Sequence, residues 1–242
     1  MSHIHFPGVE IYADNIRQMG EEPWRVFNVG DPGIENIKLT NFIPKDELEK
    51  EFGIEINEDV ILMTYHPVTL EQEKLPYQMD NLLKAMGKIN NNFIITYPNS
   101  DNGGSYIANR LEEFAQSHKN VHLVKNLGSR KYLSIMKLCG VVIGNSSSAL
   151  VEAPFLKKPV VNIGNRQKGR LMANNIISCG YEANDIYDSI KKALSVEYKD
   201  FVRTKTVSLY GEGNTSEEIV KVLKNIELGE TILKKKFILH NK

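Results

Sequence analysis

Val141-Val142-Ile143-Gly144-Asn145-Ser146-Ser147-Ser148-Ala149-Leu150-Val151-Glu152 is the stretch on which the fold turns. An apolar run ends at a glycine, a short polar turn follows, and an apolar helix start comes next. A strand that is apolar without alternation suits a parallel sheet covered on both faces. The same pattern recurs on either side, with strands expected at about 59–65, 92–97, 121–126, 139–143 and 159–163. Between them lie stripes of helical period: Met79, Leu82, Leu83, Met86 and Ile89; Ile107, Leu111, Phe114 and Ala115; Tyr132, Leu133 and Met136; Ile186, Ile190, Ala193 and Leu194. These stripes are core-facing surfaces and carry no functional assignment. Strand and helix alternating at this spacing predict an α/β fold, a Rossmann-like doubly wound parallel sheet.

In such a sheet ligands bind beyond the carboxyl ends of the strands. The five expected strands end at His66-Pro67-Val68-Thr69, at Tyr97-Pro98-Asn99-Ser100, at Asn126-Leu127-Gly128-Ser129-Arg130, at the serine turn, and at Gly164-Asn165-Arg166-Gln167-Lys168-Gly169-Arg170. Any one of these is ordinary turn chemistry. Together on one edge they predict a pocket. The serine turn is the sharpest element, because free N–H groups and the positive end of a helix dipole favour phosphate. A serine N-cap is the plainer reading, but three serines exceed what a cap needs. No Gly-Lys-Ser/Thr follows, so this is not a Walker loop. Glu152, one turn into that helix, suits the paired hydroxyls of a ribose or simply faces solvent. His66 precedes a proline and is expected in extended backbone, where an imidazole bonds phosphate, moves a proton, or is merely structural. Arg166 and Arg170 suit bidentate phosphate recognition, or are solvated loop charges.

Composition narrows the classes further. The chain has 242 residues, 41% hydrophobic and 25% charged, and its 30 Lys and Arg balance 30 Asp and Glu. A dedicated nucleic-acid binder carries a basic excess, so an anionic ligand must be held by local groups. No apolar run approaches the roughly 18–20 residues that span a bilayer, and the first residues lack the pattern of a secretory signal. Two cysteines, Cys139 and Cys179, cannot build a disulfide framework and read as core residues. A soluble cytoplasmic protein is expected, with no nucleic-acid or membrane partner. HExxH, GxSxG, GxGxxG and metal-ligand spacings are absent from the sequence. The remaining histidines, His3, His5, His118, His122 and His240, have weaker contexts.

At the start, His3–Phe6 and Trp24–Gly30 read as strands around a helix over 9–20, followed by a turn at Gly30-Asp31-Pro32-Gly33. A charged helix is expected over Pro44–Gly53. Near the end, Thr215 and Glu218 fit a capping box for a helix burying Ile219, Val220, Leu223 and Ile226, and Lys234-Lys235-Lys236 reads as a solvated end.

Tyr65-His66-Pro67-Val68-Thr69, Gly144-Asn145-Ser146-Ser147-Ser148 with Glu152, and Val161-Asn162-Ile163-Gly164-Asn165-Arg166-Gln167-Lys168-Gly169-Arg170 closely resemble the hydrolysing UDP-N-acetylglucosamine 2-epimerases. Tyr210-Gly211-Glu212-Gly213-Asn214 resembles that family's closing loop, and the likeness runs with gaps from Met1 to about Ile226. The resemblance implies two Rossmann-like domains facing a cleft, as in GT-B glycosyltransferases. It implies conversion of UDP-GlcNAc to UDP and N-acetylmannosamine through a glycal-like intermediate, for sialic-acid-type sugar biosynthesis, without redox cofactor or obligatory metal. It places Ser146 and Ser147 on the diphosphate, Glu152 on the ribose, and His66 and Arg166 at the nucleotide diphosphate, with His66 also in catalysis. Asn99 falls near the sugar and the Leu127 backbone beside the uracil.

The resemblance also implies a chain that matches the C-terminal part of such an enzyme, with Met1 at an internal position of the family pattern. The expected organisation is a remnant of the N-terminal domain over 1–40, a connector over 41–57, a nucleotide-binding domain over 58–205, and a helix and tail over 206–242. A homo-oligomer or a separate N-terminal half would complete it. The competing readings are a GT-B-type glycosyltransferase donor domain, a non-hydrolysing epimerase, whose usual Arg-Pro-Glu-type segment is absent here, and a UDP-sugar-binding fragment without turnover.

Overall fold

The computed structural model describes residues 2–239, so His240 lies outside the described residues. In chain order the elements are α1 (Glu10–Gln18), α2 (Pro32–Leu39), α3 (Lys45–Phe52), β1 (Ile61–Thr64), α4 (Leu75–Met86), β2 (Phe93–Thr96), α5 (Gly104–Ser117), β3 (Val121–Val124), α6 (Gly128–Leu138), β4 (Val141–Gly144), α7 (Ser148–Phe155), β5 (Val160–Ile163), β6 (Ile176–Cys179), α8 (Ala183–Leu194), α9 (Val196–Lys205), α10 (Thr215–Asn225) and α11 (Glu230–Leu233). They group into two compact units, one of residues 41–207 and one of residues 1–40 with 208–242. The stretch 41–57 thus belongs to the larger unit, where Leu48 of α3 is fully buried, and the C-terminal segment groups with the first forty residues.

The larger unit is a six-stranded, all-parallel sheet in the order β3-β2-β1-β4-β5-β6. This is the doubly wound order, with its topological switch between β1 and β4. Strand side chains alternate between two cores. Ile61, Met63, Phe93, Ile95, Val141, Ile143, Val161 and Ile163 pack with residues of α4, α5 and α8. Leu62, Ile94, Val142 and Val160 pack with residues of α3, α6 and α7. Burial on both faces explains the unbroken apolar runs in sequence. Both thiols are free: Cys139 is fully buried and Cys179 is half-buried on β6.

The smaller unit departs from expectation. The two expected strands reduce to one parallel bridge between His5 and Val26, with a single 3-10 turn over Pro23–Arg25. Gly30-Asp31-Pro32-Gly33 does not end at a turn but starts α2: Asp31 accepts the Gly33 N–H at 2.8 Å, and Pro32 sits at the first helical position. The capping box does not form. Asn214, not Thr215, is the N-cap of α10, and Glu35 of α2 instead accepts the Ser216 N–H at 2.9 Å and its hydroxyl at 2.6 Å. The apolar stripe of α10 stays largely open, with Val220 46% and Leu223 54% exposed. Lys235 is not solvated: it bonds Glu21, which also takes the His5 ring at 2.6 Å. Arg25, fully buried, donates to the carbonyls of His3, Thr231 and Ile232, so the tail is gripped by a buried guanidinium.

Candidate functional site

The end of β4 meets the end of β1 at the switch point, and the approach is close. A Cβ on Gly144, at φ +121°, would lie 2.0 Å from the Thr64 carbonyl oxygen, so only glycine fits. The next residue, Asn145, is fully buried and joins three of the predicted loops. Its Oδ1 accepts the His66 N–H at 2.7 Å and its Nδ2 donates to the His66 carbonyl at 2.8 Å. Its own carbonyl accepts Arg166 Nη1 at 3.0 Å and Gln167 Nε2 at 2.7 Å. The first strand end, the serine turn and the arginine loop are therefore held together by one asparagine. Sequence reasoning quoted Asn145 without giving it a role, because a polar residue in a turn shows nothing of its tertiary bonds.

Ser147 does not act as a cap, and Ser146 Oγ accepts only a long bond, 3.4 Å, from the Ser148 N–H. Ser147 occupies the N-cap position of α7 in helical backbone and makes no side-chain cap bond. It is exposed, while Ser146 is half-buried. Neither the Ser146 nor the Ser147 N–H bonds another described residue. N–H groups without a described partner, hydroxyls and a helix N-terminus are chemistry suited to an anion. Glu152 lies one turn further along α7, half-buried.

His66 is oriented by a further contact: the Asn99 N–H donates to its Nδ1 at 3.0 Å. The neutral ring therefore carries its proton on Nε2, as a donor. Burial lowers its pKa from the ordinary histidine value, Arg166 adds to that, and Asp101 opposes it. Burial likewise lowers Arg166. Asn99 itself is exposed, its amide bonded to Asp101 at 2.6 Å. Leu127 stands apart from this cluster: it follows β3 at the sheet edge, buried in the core that includes Ala149 and Leu150.

A second network was not legible beforehand. Glu71, after β1, accepts Tyr181 Oη at 2.7 Å, Gln78 Nε2 at 2.8 Å and Asn165 Nδ2 at 3.2 Å. The Tyr181 hydroxyl in turn accepts the Asn165 N–H at 3.0 Å. A Cβ on Gly164, at φ +78°, would lie 2.1 Å from the Tyr181 ring. The loop carrying Arg166 is thus pinned by a buried-edge carboxylate and a tyrosine, and the Tyr181 bond helps hold Glu71 below the ordinary carboxylate range.

Among the described residues no group of three or more His, Cys, Asp or Glu is placed to hold a metal, and no helix is long and apolar enough to cross a membrane. A cavity of about 460 Å³ lies in the smaller unit, lined by Trp24, Phe27, Val222, Ile226 and Ile232, and holds none of the predicted site residues.

The family model for UDP-N-acetylglucosamine 2-epimerase matches residues 1–224. A GDP/UDP-N,N'-diacetylbacillosamine 2-epimerase (hydrolyzing) of Campylobacter jejuni is 42% identical over 98% of this chain and 62% of its own length. A UDP-N,N'-diacetylbacillosamine 2-epimerase (hydrolyzing) of Legionella pneumophila is 31% identical over 97% of this chain and 61% of its own. Among solved structures, the UDP-GlcNAc 2-epimerase of Neisseria meningitidis bound to UDP-GlcNAc has the same fold, with a TM-score of 0.75 at 23% identity, over 93% of this chain and 62% of that one. The chain spans about three fifths of the length of these relatives. With the doubly wound sheet and the His66–Asn145–Arg166 cluster at its switch point, the match over residues 1–224 shows that the chain belongs to the UDP-N-acetylglucosamine 2-epimerase family.

Proposed function

We propose that this chain carries the nucleotide-binding region of a hydrolysing 2-epimerase that acts on a UDP-linked 2-acetamido sugar. The observation that carries the reading is the Asn145 junction, which brings His66, the serine turn and Arg166 to one point. In this reading the N–H groups and hydroxyls of Ser146 and Ser147, with Arg166, bind the diphosphate. Glu152 accepts the ribose hydroxyls, the Leu127 backbone lies beside the uracil, and Asn99 faces the sugar.

The overall reaction consumes one water. A proton leaves C2 as the C1–O bond to UDP breaks, giving a glycal-like intermediate, and water then adds across C1 and C2 with C2 inverted. Holding UDP fixed while charge builds on its departing oxygen is the share of the work that these residues do. His66, neutral with its proton on Nε2, donates to the departing diphosphate rather than presenting an imidazolium. The chain supplies mainly the UDP-binding half.

Between sugars, the C. jejuni relative, at 42% identity, acts by name on N,N'-diacetylbacillosamine, against 29% for a UDP-N-acetylglucosamine 2-epimerase of N. meningitidis. This favours a sugar with a second acetamido group over UDP-GlcNAc, and its 2-epimer over N-acetylmannosamine as product. The test is to incubate the protein with each UDP-sugar, alone and with a supplied N-terminal half of the C. jejuni relative. UDP release with an inverted free sugar is expected only with the added half, faster from the diacetylated substrate. Turnover of a sugar-nucleotide onto an acceptor alcohol instead of water would point to a glycosyltransferase and overturn the reading.

A further inference from the structure

Beneath the serine turn runs a line of buried hydroxyls. The line starts at Tyr132 on α6. Tyr132 Oη lies 2.7 Å from Oγ of Ser148, the first residue of α7. Ser148 Oγ donates to Ser146 Oγ at 3.2 Å, and the Ser148 N–H is directed at the same oxygen at 3.4 Å. Burial pushes the Tyr132 phenol up to about 12, so it remains a neutral O–H at physiological pH.

The proton count gives this line a direction. A hydroxyl has one proton and accepts up to two bonds. Ser146 Oγ takes both of its incoming bonds from Ser148, which leaves its own proton to point away from Ser148 as a donor. Since the Ser148 proton is committed to Ser146, the Tyr132–Ser148 bond must run from the phenol. Phenylalanine and alanine would fill these part-buried positions without the desolvation cost that the two hydroxyls carry, so packing alone does not account for them.

We infer that Tyr132 and Ser148 are positioning residues, a one-directional hydroxyl relay that sets Ser146 as a hydrogen-bond donor to a diphosphate at the turn. The inference rests on the diphosphate reading given above and adds to it two residues behind the turn. Chains of this kind polarise each successive bond, so the last donor is both oriented and strengthened.

Calorimetric titration of the protein with UDP and with uridine tests it, in wild type and in Tyr132→Phe, Ser148→Ala and Ser148→Thr. Thermal unfolding first establishes that each variant is folded, and the Ser148 pair carries the test if Tyr132→Phe is not. Loss of one neutral hydrogen bond corresponds to about a three- to tenfold change in affinity. Tyr132→Phe and Ser148→Ala should weaken UDP by that factor and leave uridine unchanged, while Ser148→Thr, which keeps the hydroxyl, returns UDP affinity. A merely structural role would move UDP and uridine together, or neither, and either result overturns the relay. If wild type binds UDP no more tightly than uridine, the diphosphate reading itself falls and takes the relay with it.

Discussion

Replacing Asn145 with alanine should damage the site more than any exposed residue of it. The side chain is fully buried and makes both backbone bonds to His66, at 2.7 and 2.8 Å. A typical bond of this kind contributes about 1 kcal/mol net, but a buried N–H or carbonyl left without a partner costs about 1–3 kcal/mol. Two such groups are stranded in Asn145→Ala, so the expected loss is about 2–6 kcal/mol of folding stability. The Asn145 carbonyl survives the substitution, so Arg166 and Gln167 keep an acceptor, and the damage should centre on the end of β1. Urea denaturation at neutral pH measures the loss. Near-unchanged slope with a lower midpoint would place it in stability rather than in a looser denatured state. UDP affinity of the folded variant should also fall, because His66 loses its fixed backbone. A stability loss below about 0.5 kcal/mol, the level of an ordinary surface substitution, would refute the junction as described.

Three further outcomes follow from the same geometry. Ser147→Asp places negative charge at the helix N-terminus beside the turn and should abolish most UDP binding by calorimetry, whereas Ser147→Ala should cost about 1–2 kcal/mol. Gly144→Ala forces a Cβ to within 2.0 Å of the Thr64 carbonyl at φ +121°, and should destabilise by more than about 2 kcal/mol in thermal melts or leave no folded protein. His66 has its pKa lowered in the folded state, so below about 6.5 the unfolded chain binds a proton that the folded chain refuses. Stability therefore falls as pH drops through that value and levels off below the folded pKa, and His66→Asn should flatten this part of the curve in denaturation series.

Much of the fold was legible because parallel strands covered on both faces carry unbroken apolar runs, and the helices between them carry stripes at helical period. β6 escaped notice because Ile176-Ile177-Ser178-Cys179 is a sheet-edge strand, only half-buried and with an exposed serine. α2 was hidden by Asp31-Pro32-Gly33, whose turn chemistry is also helix-start chemistry; what decides between them is the burial of Ile34 and Ile37, a tertiary fact. The Thr215–Glu218 box lost to Glu35, a partner 181 residues away from Ser216 in sequence. His66, the serine turn and Arg166 could be picked out since each ends a strand on the same edge. Asn145, Glu71 and Tyr181 could not, because their importance lies in bonds to distant residues rather than in any local pattern.

The central claim is that UDP is held at the switch point by the turn after β4. Amide chemical shifts of the labelled protein, followed through a titration with UDP, test it most directly. The account predicts saturable shifts centred on the Ser146 and Ser147 N–H groups and on His66 and Arg166, with uridine moving the residues around Leu127 but leaving the serine amides in place. Saturable UDP binding that leaves Ser146 and Ser147 unmoved, or shifts confined to the smaller unit, would contradict it.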